Sequence, residues 1–99
     1  MIERMDDCLQ ISGNITMTTV NALFAKGLGL KINGKIATSL TVDFAQLEKV
    51  DSSAVSLMLA WLREARGSNV KLHFVNTPKN LVSLANLYGV AELLGLEAA

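Results

Sequence analysis

One stretch restricts the fold of this chain more than any other. Ser39 to Phe44 alternates strictly, with Leu40, Val42 and Phe44 on one phase and Thr41 and Asp43 on the other. That is the period of a half-buried strand, here expected to be the central one, with Leu47 and Val50 as apolar anchors in the connector that follows. Ser52 to Arg66 then supplies good helix formers, among them Leu57, Met58, Leu59, Ala60, Leu62 and Ala65. The polar loop Asp51-Ser52-Ser53 joins the two. It falls at a helix N-terminus, where the first backbone N–H groups have no intrahelical partner. Asp51 or Ser52 there suits helix capping. The same position also suits a phosphate, covalent or bound, or a docking partner.

The helix after this loop carries more apolar surface than one sheet contact requires. At 3.6 residues per turn, Ala54, Met58, Trp61, Leu62 and Ala65 form a core face with Val55 at its border. Leu57 and Leu59 lie beyond opposite borders, and Ser56, Ala60 and Arg63 occupy the far side. Either a neighbouring helix covers the excess or a partner protein does. Arg66 places a cation in the last turn, and Gly67 is the expected C′ residue.

The flanking segments build the rest of one layer. Ile2 to Met5 reads as an edge strand, Asp6-Asp7 as a tight turn, and Leu9 to Ser12 as a half-buried strand ended by Gly13-Asn14. Together they predict a β-hairpin. Thr16, Thr18 and Thr19 are candidate N-caps for a helix over 18–30, with Val20, Leu23, Phe24, Gly27 and Leu28 on one face. Asn33-Gly34 marks a turn before the central strand. Val70, Leu72 and Phe74 alternate with Lys71 and His73 as a further strand. Thr77-Pro78 starts a last helix, with Thr77 as N-cap and Pro78 at the first helical position. Leu81, Leu84, Ala85 and Tyr88 mark its apolar face, Gly89 closes it, and 90–96 adds a turn that packs back before a frayed end. The order β-β-α-β-α-β-α predicts a single α/β domain over residues 1–99. It implies a small mixed sheet of about four strands, helices mainly on one side, and a parallel pair with a right-handed crossover.

Composition excludes several function classes. Lys+Arg and Asp+Glu balance at 9 each, so no broad field for nucleic acid or acidic lipid is expected. Cys8 is the single cysteine and His73 the single histidine, too few for a zinc site or an internal disulfide. Cys8 reads as a buried strand thiol and His73 as a surface or boundary residue. No stretch approaches the ~18 apolar residues of a membrane span, and the charged N-terminus is not a secretory signal, so the expected location is the cytoplasm. No glycine-rich phosphate loop is present, and no cofactor is expected. Ser52, His73 and Asp43 make a catalytic triad only on paper, because nothing resembles a nucleophile elbow. Asp43 reads either as a carboxylate on a functional strand edge or as a solvated loop group. The chain is expected to be an interaction module and not an enzyme.

Three stretches resemble the STAS domain family, the fold of bacterial anti-sigma factor antagonists. Ile11-Ser12-Gly13-Asn14-Ile15-Thr16 is similar to the family's strand–Gly–turn signature. Leu40-Thr41-Val42-Asp43-Phe44-Ala45-Gln46-Leu47-Glu48-Lys49-Val50-Asp51-Ser52-Ser53 resembles its central strand and Asp-Ser loop. Leu81 to Val90 resembles its last helix and the turn after it. The resemblance implies that Ser52 is the phosphoacceptor in antagonists of this kind. Antagonists usually carry Gly after the second hydroxyl residue, where this chain has Ala54. Leu84-Ala85-Asn86-Leu87-Tyr88-Gly89-Val90 is more similar to another branch, the cytoplasmic MlaB-type STAS subunit of the Mla phospholipid-transport ABC complex. That branch implies a non-catalytic subunit that docks on the ABC ATPase, reaching the inner face of the inner membrane through the complex and not by insertion. The resemblance places Asp51 and Ser52 in the contact region; with the rest of the loop and the apolar excess of the following helix, the expected partner-binding residues are Asp51, Ser52, Ser53, Ser56, Leu57 and Leu59. The alternative partner is an anti-sigma kinase, bound by a phospho-regulated antagonist.

Overall fold

The computed structural model describes residues 2–5, 7–26, 31–32, 35–36 and 38–96. Its main sheet has four strands in the order β1-β2-β5-β6: β1 (Ile2–Met5), β2 (Cys8–Ile15), β5 (Ser39–Val50) and β6 (Lys71–Val75). β1 and β2 form the antiparallel hairpin expected, with Ile2 opposite Ile11 and Met5 opposite Cys8. β5 runs parallel to both of its neighbours. A small two-stranded unit not foreseen in the sequence, β3 (Lys31–Ile32) with β4 (Lys35–Ile36), lies between β2 and β5 in the chain. The expected turns at Asp6-Asp7 and Asn33-Gly34 rest on residues outside those described, as do Gly27 to Leu30 of the first helix.

One face of the sheet makes the core. Leu9 and Ile11 of β2 and Leu40, Val42 and Phe44 of β5 are buried, while Gln10, Ser12, Thr41 and Asp43 between them are only half-buried. Strict alternation therefore puts the helices on a single face, as a sheet covered on one side requires. The helices are α1 (Val20–Lys26), α2 (Ser52–Gly67) and α3 (Lys79–Leu87), and both α1 and α3 pack on α2. Trp61, Met58 and Leu57 of α2 join Phe44, Ile11, Ile15 and Leu81 as fully buried side chains. Each such side chain is worth about 1.5–3 kcal/mol relative to exposure. Phe44 also stacks on Phe74 of β6, ring centroids 5.6 Å apart.

The two strands that lead to the site are longer than their sequence pattern suggests. β2 continues through Gly13-Asn14 to Ile15, and β5 continues through the expected connector to Val50. Apolar alternation fails there because β5 carries two extra residues relative to β2. Gln10 faces Asp43 but Ser12 faces Gln46, and Gly13 faces Leu47 but Ile15 faces Val50. Each bulge leaves a backbone N–H off the ladder and resets which face the next side chain meets. Side chains take up N–H groups at both places. Asp43 Oδ1 accepts from Ala45 N at 2.9 Å, and Asn14 Oδ1 accepts from Lys49 N at 3.2 Å. Gly13, at φ +84°, supplies the left-handed backbone beside the second bulge.

The helix ends correct three expectations. Gly67 is the last residue of α2, not its C′ residue. Asn69 holds the left-handed position (φ 57°), with Asn69 N donating to Arg66 O and Val70 N to Ala65 O, a Schellman closure sealed by buried Val70. Gly89 does close α3 in the same way, at φ +71°. At the start of α3 the capping residue is Pro78, in extended backbone, and no side chain caps the helix. Thr77 Oγ1 is instead buried without a hydrogen-bond partner. Phe24 of α1, expected on the apolar face, is exposed.

Asn69 is exposed, so its cost on substitution comes from backbone alone. Asn69→Ala should lower unfolding free energy by about 1–2 kcal/mol and Asn69→Gly should leave it unchanged or slightly raised, read from urea midpoints.

Candidate functional site

The site grows from the meeting of the ends of β2 and β5. Ile15 is opposite Val50, and Asp51 N donates to Ile15 O at 3.2 Å. Asp51 then turns the chain into α2 with extended backbone (φ −132°, ψ −169°). Its Oδ1 accepts from Ser53 N at 2.8 Å and also from the Ser53 hydroxyl. Its Oδ2 reaches back across the fold and accepts from Met17 N at 3.0 Å. One carboxylate therefore caps α2 and ties the β2–α1 turn to it. These hydrogen bonds hold its pKa below the ordinary carboxylate value, led by the Ser53 hydroxyl and then the Ser53 N–H, with partial desolvation opposing them and Met17 N–H adding to them.

The turn that Asp51 grips is itself cross-bonded. Thr19 Oγ1 accepts from Thr16 N and donates to Asn14 O, both at 2.9 Å. Thr19 thus spends its hydroxyl holding the turn. Met17 at its tip is 76% exposed. Nothing in the sequence pattern singled out Met17; an apolar residue among threonines in a turn was the available signal.

The two serines next to Asp51 have different surroundings. Ser53 is half-buried and its hydroxyl is engaged with Asp51. Ser52, the first residue of α2, is exposed. It borders a shallow groove lined by Val55, Ser56, Leu59 and Tyr88. Ser56 is exposed and Leu59 half-buried, so both belong to this surface. Leu57 does not. It is 0% exposed on its flank of α2 and belongs to the buried core cluster. The apolar excess on that flank is covered from within the fold. On the Leu59 flank it remains partly open, and Tyr88, expected on the buried face of α3, is 55% exposed beside it.

The remaining candidates fall elsewhere. Asp43 Oδ1 also accepts from Asn76 Nδ2 at 3.0 Å, so this carboxylate braces β5 against the end of β6. His73 is exposed on β6 opposite Thr41, and Cys8 is half-buried on β2. Asp43 lies seven residues along β5 from Val50, on the order of 20 Å at the usual strand rise. The structure therefore does not bring Ser52, His73 and Asp43 together. Among the described residues no cluster of three or more His, Cys, Asp or Glu could hold a metal, and no helix is long and apolar enough to cross a membrane.

A four-stranded mixed sheet with helices on one face, and an Asp-capped helix leading from its central strand, define a STAS fold. The family profile described as "Mlab, STAS domain" matches residues 2–95, and the chain belongs to that family. Among solved structures, the anti-sigma factor antagonist SpoIIAA in its unphosphorylated form superposes with a TM-score of 0.71 at 20% identity. The match covers 93% of this chain and 82% of that one. It is a likeness of fold. Among curated proteins no match was found.

Because the folded pKa of Asp51 is depressed, its contribution to stability is complete above the unfolded carboxylate value, ~3.9, and is lost as pH falls through the folded value. The urea midpoint of wild type should exceed that of Asp51→Asn by a constant margin above about pH 5, and the margin should shrink below about pH 4. A margin independent of pH would contradict the role given to this carboxylate.

Proposed function

We propose that this chain, as a single STAS domain over residues 1–99, is a non-catalytic regulatory subunit that docks on the cytoplasmic ATPase of an Mla-type phospholipid-transport ABC system. The contact surface is the Asp51-Ser52-Ser53 loop together with Ser56 and Leu59 on the first turns of α2. The observation that carries the reading is the setting of Ser52. Its side chain is exposed at the mouth of a partly apolar groove, while Asp51 and Ser53 are occupied in holding the loop's shape. A rigid, neutral hydroxyl beside Val55, Leu59 and Tyr88 suits close packing against another protein, with the polar loop at the rim. The "Mlab" description of the family profile supports the choice of an ABC ATPase. The subunit would then sit in the cytoplasm at the inner face of the membrane, held there by its partner.

The same geometry favours one second reading, a phospho-regulated anti-sigma factor antagonist. Ser52 opens α2 at the positive end of the helix dipole, which favours an added phosphate. A phosphate would bring about −1.5 to −2 charges to the rim of the groove and repel a partner packed there, with little change inside the fold. The fold shared with an anti-sigma factor antagonist supports this reading.

Ser52→Ala should co-purify with the transporter's ABC ATPase as wild type does, and Ser52→Glu should weaken the complex by about tenfold or more while circular dichroism stays native. Equal recovery of Ser52→Glu would refute docking through this loop. Stoichiometric ATP-dependent phosphorylation of Ser52 by an anti-sigma kinase would instead select the second reading.

A further inference from the structure

Three consecutive residues of β6, Lys71, Leu72 and His73, line one depression of about 370 Å³ together with Arg66 of α2 and Glu92, Leu93 and Gly95 of the turn after α3. Successive side chains of a strand point to opposite faces of its sheet. Consecutive residues line the same hollow only where it runs along the strand's edge. β6 is an outer strand, with β5 on one side and, among the described residues, no strand on the other. The depression is therefore the free edge of β6, walled on the helix side by the turn after α3.

The ladder on the paired side shows which backbone groups face outward. Lys71 N donates to Thr38 O at 3.0 Å, and the parallel register sets Ser39 opposite Lys71 and Thr41 opposite His73. In a parallel ladder, alternate residues turn both of their backbone groups to the same neighbour. Lys71, His73 and Val75 are thus bonded to β5, and the N–H and C=O groups of Leu72 and Phe74 point toward the free edge. Such groups are a template for an added strand. Leu72 and Phe74 are half-buried while Lys71 and His73 are exposed, so a segment pairing here meets an apolar phase and a polar one.

The side chains around the edge select its occupant. Arg66, Lys71 and His73 border it and are exposed, against the single carboxylate of Glu92. Leu93, 48% exposed, adds an apolar wall. A second copy pairing through its own β6 would set the same basic residues against each other, and like charges across a ladder are unfavourable. A segment with carboxylates on the phase of Lys71 and His73, and β-branched apolar residues on the phase of Leu72, complements both.

We propose that the free edge of β6 takes an extended acidic segment of a partner protein as a fifth strand, its backbone on Leu72 and Phe74 and its carboxylates beside Lys71, His73 and Arg66. This is strand addition, in which main-chain hydrogen bonds supply affinity and alternate side chains supply specificity. The site is separate from the Ser52 loop, since Ser52 opens α2 and Arg66 lies in its last turn. It requires neither the ATPase contact nor phosphorylation.

The test uses the full chain, isotope-labelled for NMR, and two acetylated hexapeptides as probes, one alternating valine with glutamate and one alternating valine with lysine. The glutamate probe should shift the amide signals of Leu72 and Phe74 saturably, with a Kd on the order of 1 mM or tighter, and slow their exchange with solvent. The lysine probe should bind about tenfold more weakly or worse. The double reversal Arg66→Glu with Lys71→Glu should exchange the two preferences, an outcome that loss of structure does not produce. Equal binding of the two probes, or signals of 71–75 unmoved by about 10 mM glutamate probe, would overturn the proposal. Concentration-dependent shifts at Leu72 and Phe74 without peptide would assign the edge to a second copy. Shifts there with vesicles of anionic phospholipid, and none with the glutamate probe, would assign it to a membrane surface. Either result also overturns the proposal.

Discussion

The carboxylate of Asp51 is the constraint on which the functional end of this molecule depends. Its backbone N–H bonds to Ile15, its Oδ1 caps α2 through Ser53, and its Oδ2 holds the Met17 turn. The end of β2 with the turn after it, Ile15 to Met17, and the start of α2 are thereby joined on one residue. A helix start would otherwise leave its N–H groups to water, and the turn after β2 would be tied to the rest of the fold by less. With Asp51 and Ser53 committed to this work, Ser52 is left as the exposed hydroxyl. The loop has a braced shape and one exposed hydroxyl, a form that suits an interaction surface.

The approach to that residue shows why proteins keep irregular strands near functional ends. β5 must deliver Asp51 to Ile15 and still set the face of α2 against the sheet. Two bulges in β5 accomplish the adjustment, and Asp43 and Asn14 take up N–H groups that they leave. Asp43 was a candidate for chemistry when only its position near a strand end was known. Its bonds to Ala45 and Asn76 make it a brace.

Regular features of the fold were legible in the sequence because they follow a period. The alternation of Leu40, Val42 and Phe44, the hairpin phase of Leu9 and Ile11, and the amphipathic run of α2 each specify a buried face. What escaped were features that break a period. The bulges hide the second half of β5, since Ala45 to Val50 no longer alternates. Gly67 drew attention as a helix stop, yet Asn69 could take the left-handed position and let α2 run on. Thr77-Pro78 has the residues of a capped start, but the extended backbone at Pro78 moves the cap one position along. At the candidate site, capping by Asp51 was legible from residue type. Leu57 was misplaced because a wheel gives direction from the sheet without saying where neighbouring helices lie, and Met17 and Tyr88 were missed because their exposure is decided by the packing of other segments.

The central claim is that the Asp51-Ser52-Ser53 loop and the first turns of α2 are turned toward a protein partner. Hydrogen–deuterium exchange of the chain alone and with the ABC ATPase tests this most directly. The account predicts added protection in peptides covering 52–66 and 87–89, with the open face of β1 and β2 unchanged. Protection confined to the β6 edge or to that open sheet face, with 52–66 unaffected, would contradict it.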